Sequence, residues 1–83
     1  MIHSDDFKEV AKEMQRAIDK HPKFPTDVVK MVSLVSEESG EAVREANLMD
    51  EGEGSFAALK LELYQTIQVS FRALNAIREV YDA

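Results

Sequence analysis

The chain has 83 residues, 45% of them apolar and 31% charged, with 3 Gly, 2 Pro and no Cys. That is enough hydrophobe for one small folded domain, spanning residues 1–83, and it excludes disulfide staples and thiolate metal sites. Ten basic residues against sixteen acidic ones give a formal charge of −6, which disfavours polymeric nucleic acid and anionic membranes as partners.

The first helical pattern runs from about Asp5 to Lys20, with Ser4 as the expected N-cap and Asp5 and Asp6 in the first turn. Phe7, Val10, Ala11, Met14, Ala17 and Ile18 recur at three- and four-residue steps and form one apolar stripe. The segment His21-Pro22-Lys23-Phe24-Pro25 breaks the helix, because proline disfavours α geometry in its predecessor. Phe24 reads as a hydrophobic staple for the next helix rather than as part of a base pocket.

Thr26 is the expected cap of a second helix, which continues to about Met49 and ends in Asp50-Glu51-Gly52-Glu53-Gly54. Val28, Met31, Val32, Val35, Ala42, Ala46 and Met49 cluster on one side of its wheel. A third helix starts after Ser55, with Phe56, Leu59, Leu63, Ile67, Phe71, Leu74, Ile77 and Tyr81 as its principal stripe. Val69, Ala73, Ala76 and Val80 add an apolar flank, so this helix needs a neighbour on both sides. The fold expected is all-α: a helical bundle of three main helices per chain, completed by oligomerisation.

Chemistry concentrates in two stations of polar side chains. Glu38 and Glu41 lie one turn apart on the second helix, with Glu38 at the edge of the apolar stripe and Glu37 pointing to solvent. An unpaired carboxylate at such an edge is partly desolvated and calls for a neutralising partner. Gly40, costly in a helix interior by about 1 kcal/mol, predicts close approach of another helix or a ligand at this turn. Glu62 and Gln65 form the second station. Glu41 precedes Asp50 by nine residues and Glu62 follows Gly54 by eight, so antiparallel packing of the two helices brings the stations face to face. Three carboxylates and an amide oxygen make a hard oxygen site suited to Mg²⁺ or Mn²⁺. Taken alone, an E-x-x-E pair is more often a solvated face or an intrahelical ion pair, such as Glu41 with Arg44.

The segments Leu34-Val35-Ser36-Glu37-Glu38-Ser39-Gly40-Glu41-Ala42 and Leu61-Glu62-Leu63-Tyr64-Gln65 resemble the MazG-like all-α nucleotide pyrophosphohydrolases, over roughly residues 25–75. That family's pattern is E-x-x-E, a gap, then E-x-x-D. Here Glu38, Glu41 and Glu62 match, residues 42–61 form a gap of 20, and Gln65 stands where the family has Asp. The resemblance implies a divalent-metal-dependent nucleoside triphosphate pyrophosphohydrolase that releases pyrophosphate and the nucleoside monophosphate. It implies Glu38, Glu41 and Glu62 as catalytic residues, these three with Gln65 as ligands of Mg²⁺ (or Mn²⁺), and assembly as a homo-oligomer, dimer or tetramer. The alternative set by Gln65 is a non-catalytic helical oligomer acting as a nucleotide-binding or protein-interaction module; Glu45, one turn beyond Glu41, is a substitute acid. Arg72, two turns beyond Gln65, is the candidate phosphate contact, ahead of Asn75 and Lys30. His3 and His21 read as terminal and loop residues, and Met14, Met31 and Met49 as core. No apolar run is long enough to span a bilayer and the N-terminal residues do not resemble a signal peptide, so a soluble cytoplasmic protein is expected.

Overall fold

A computed structural model describes all residues, 1–83, as three helices with no strand: α1 (Ser4–Lys20), α2 (Val28–Asp50) and α3 (Phe56–Tyr81). No helix is long and apolar enough to cross a membrane. The caps differ from expectation at two of three starts. His3, not Ser4, holds the extended backbone before α1, and its Nδ1 accepts from the Asp5 amide at 3.2 Å. Ser4 lies inside the helix, where its hydroxyl cannot serve as the cap. Asp27, not Thr26, caps α2, its carboxylate accepting from the Lys30 amide at 3.0 Å. Ser55 caps α3 as expected, through the Ala58 amide at 3.1 Å.

Four hydrogen bonds fix the helix directions. Tyr64 Oη donates to Asp6 at 2.7 Å and Arg72 donates to the His21 carbonyl at 2.8 Å, so α1 runs parallel to α3. Tyr81 Oη donates to the Thr26 carbonyl at 2.6 Å and the Ser55 amide to Glu45 at 3.1 Å, so α2 runs antiparallel to α3. Both helices pack on α3, and no Cα of α1 comes within 8 Å of one in α2. The result is an open trough with α3 as its floor.

The wide apolar surface of α3 divides in a way its sequence pattern hides. The flank Val69, Ala73 and Ala76 is buried, and Met31 of α2 is fully enclosed against Ala73 and Ala76, with Phe24 and Ile77 closing the cluster. The bulky principal stripe turns outward: Leu63, Ile67, Phe71 and Leu74 remain 42–52% exposed. Small side chains let two helices approach α3 closely on one side, and neither is placed to cover the other side. The accessible surface of 6150 Å² exceeds the roughly 5,000 Å² expected of a compact 9.4 kDa monomer by the usual mass scaling. With Asp27 as the cap, Phe24 stands too far upstream to be a staple; it packs on the Met31 cluster instead. At Gly40 no other helix of this chain approaches: a side-chain carbon there would meet nothing within 4 Å.

Two outcomes follow. Met31→Ala removes the one fully enclosed large side chain and lowers stability by about 2–5 kcal/mol in urea denaturation. Gly40→Ala raises stability by about 1 kcal/mol, because open space surrounds the site and alanine favours the helix. Loss of stability on that second substitution would show another chain pressed against this turn.

Candidate metal centre and adjoining trough

The antiparallel pairing of α2 and α3 brings the two carboxylate stations together. Oxygens of Glu38, Glu41 and Glu62 lie within 4.8 Å of one another. Glu38 and Glu62 are half-buried and Glu41 is exposed. No Lys or Arg forms an ion pair with any of the three, and the intrahelical Glu41–Arg44 pair does not form. Their mutual repulsion is therefore uncompensated by the chain itself. Burial first, then Glu41 and Glu37, pushes the Glu38 carboxyl above its ordinary 4.5. Burial likewise raises Glu62, followed by a hydrogen bond and charge from Glu41 and by the charges of Glu38 and Glu45. Three converging hard oxygen donors, short of positive charge, fit a divalent cation such as Mg²⁺ or Mn²⁺.

Gln65 is directed away from this triad. Its Nε2 donates to Glu13 Oε2 at 2.7 Å and its Oε1 accepts from Gln68 Nε2 at 3.0 Å, so both ends of the amide are engaged. Glu45 is also committed, to the Ser55 amide at 3.1 Å. That contact sets the turn into α3. Gly54, at φ +71°, lies so close beneath the Glu45 carboxylate that a side-chain carbon there would collide with it. Glu45 thus contributes charge to the triad's surroundings and holds the loop that starts α3.

Beside the triad, the space between α1 and α2 forms a trough of about 600 Å³. Glu38 belongs to both, so the carboxylates and the trough are continuous. Arg16, Lys20, Lys23 and Arg72 line it, four of the ten cations in an acidic chain. Arg72 stacks on the Phe24 ring at 4.8 Å while donating to the His21 carbonyl, and its burial lowers its pKa. Arg72 and Phe24 together line the trough's end nearest the α1–α2 loop. His21 lines it as well, as a loop residue. Lys30 and Asn75 are exposed and outside it.

Sequence reasoning missed Glu13 and Gln68. Both are 5% exposed, although neither residue type is ordinarily buried. The helical period offered a signal, since Gln68 follows Gln65 at a three-residue step and sits next to Val69 of the apolar flank of α3. Glu13 could be found only by knowing that α1 packs alongside. In comparisons with protein-family models, curated proteins and solved structures, the chain matches none.

The raised carboxyls set a pH dependence. A group whose folded pKa lies above its unfolded value binds protons more tightly when folded, so its ionisation costs stability. The metal-free protein therefore loses stability as pH rises from about 4.5 through the elevated Glu38 and Glu62 values. Glu38→Gln or Glu62→Gln flattens that slope and raises the neutral-pH melting temperature without metal. Thermal melts between pH 4 and 8 in chelator check this.

Proposed function

We propose that the protein is a divalent-metal-dependent nucleotide pyrophosphohydrolase of the MazG-like kind, acting on nucleoside triphosphates to give the monophosphate and pyrophosphate. The observation that carries this reading is the convergence of Glu38, Glu41 and Glu62 beside a cation-lined trough. The Glu38-Glu41 and Glu62 spacing of the resemblance is what brings these groups to one place. The trough's volume is of the size that takes a small organic ligand, roughly 300–1,000 Å³.

In this reading Glu38, Glu41 and Glu62 hold Mg²⁺, or Mn²⁺ in its place. A bound divalent ion supplies charge neutralisation on phosphate oxygens and a lowered pKa for water. Glu41, the most exposed of the three, would in this reading accept a proton from attacking water. Arg16, Lys20 and Lys23 set positive charge along the trough, which draws an anionic ligand into it. Arg72, held by Phe24 and the His21 carbonyl, is pre-positioned and bounds the ligand at the far end. The outward stripe of α3 supports assembly of the functional unit as a homo-oligomer, a dimer or tetramer.

A second reading keeps the binding and drops the chemistry. It is favoured by the engagement of Gln65, which leaves the triad without a fourth ligand from that position. The two readings separate in one assay. With Mg²⁺ or Mn²⁺ and a panel of NTPs and dNTPs, the purified protein is expected to release pyrophosphate, and Glu38→Gln to reduce the rate by about 100-fold or more. Stabilisation by Mg²⁺ and nucleotide without product would establish the binding module. Neither product nor stabilisation with any nucleotide would defeat both.

A further inference from the structure

A chain of three polar side chains crosses the trough wall and ends on an orphan. Glu13, buried and ion-paired with Arg16 at 2.6 Å, offers only acceptor oxygens. Gln65 must therefore turn its Nε2 toward Glu13, at 2.7 Å. That choice leaves the Gln65 oxygen facing Gln68, which must answer with its own Nε2, at 3.0 Å. Gln68 Oε1 is left at the end of the relay, sealed from solvent and without a hydrogen-bond partner. The amide of a glutamine can ordinarily reverse and present either a donor or an acceptor. Here the carboxylate at the start fixes both amides, so the relay ends in an acceptor alone.

All three residues line the trough. A buried acceptor with no donor is costly, and nothing in the chain relieves it. Along α3, Gln68 lies six residues beyond Glu62, about 9 Å at the helical rise, and Arg72 lies one turn further. The order along the trough is thus metal-binding carboxylates, orphaned acceptor, then the flat Arg72–Phe24 stack. A nucleotide whose phosphates sit at the carboxylates extends its sugar and ring toward Gln68.

The geometry points to Gln68 as the base-reading residue of this trough, with Glu13 and Gln65 as positioning residues that lock it as an acceptor, and so to selection of amino-bearing bases over their keto counterparts. This inference rests on the nucleotide reading above and names the substrate class within it. For the base to seat, the Gln68 amide, on the trough's lining but sealed from solvent, must be uncovered. Cytosine and adenine then present an exocyclic N–H to Oε1. Uracil and hypoxanthine present a carbonyl oxygen at the equivalent ring position, which repels it. The distinction is sharpest between bases that differ only there.

The test is binding of monophosphates in Mg²⁺, which requires no turnover. Calorimetry is expected to show CMP tighter than UMP, and AMP tighter than IMP, each by about tenfold or more. Glu13→Gln removes the charge that fixes the relay, so both amides can reverse and the two ratios fall toward one while binding persists. Gln68→Met, which fills the same volume without the acceptor, collapses the ratios as well and decides the matter should Glu13→Gln not fold. Equal affinities within each pair in the wild-type protein, or ratios unchanged in Gln68→Met, would overturn the inference and leave the pyrophosphohydrolase reading standing. A structure in which a bound water satisfies Gln68 while the nucleotide base lies elsewhere would also overturn it. No binding of any mono- or triphosphate removes the nucleotide reading itself, and this inference with it.

Discussion

Contact with α3 on one side only is the constraint from which the rest of the molecule follows. Because α1 and α2 both pack on α3 and no Cα of one comes within 8 Å of the other, a trough opens between them. The same arrangement places Glu62 against α2 and Gln65 and Gln68 against α1. A helix dipping into the gap would have closed the trough and buried charges that have no partner. The enclosed Met31 shows how much of the fold is carried by that one seam.

The electrostatics are divided as sharply as the packing. An acidic chain gathers three carboxylates at one end of the trough, without a cation paired to them, and sets four of its cations along the adjoining walls. Burial, and then the neighbouring negative charges, raise the proton affinity of Glu38 and Glu62, so ionising them costs stability. Glu45 adds to that field while holding the turn at Gly54 and Ser55, so the loop that starts α3 and the cluster are built together.

Different parts of the fold were legible to different degrees. Helix number, approximate limits and the antiparallel α2–α3 pairing follow from periodicity, two prolines and a pair of glycines in a short turn. The meeting of Glu38 and Glu41 with Glu62 follows from equal distances to that turn. The caps at His3 and Asp27 did not, because serine or threonine nearby offers the same chemistry and only backbone geometry selects between neighbours. Gly40 is not met by any helix of its own chain, because a glycine states that space is permitted at a turn, not which neighbour fills it.

The sequence by itself determined an all-helical chain and the spacing that lets two carboxylate stations coincide, since both depend on residue intervals along single helices. Which face of α3 became the interior was decided only in three dimensions. Bulk alone favoured the Leu63–Leu74 stripe, but close helix approach favours small side chains, and the alanine flank won. Tertiary packing also turned Gln65 away from the triad and toward Glu13, because α1 runs parallel beside α3 and offers a buried carboxylate there. A hydrogen-bond partner fifty-two positions away in the chain leaves no periodic trace in the sequence.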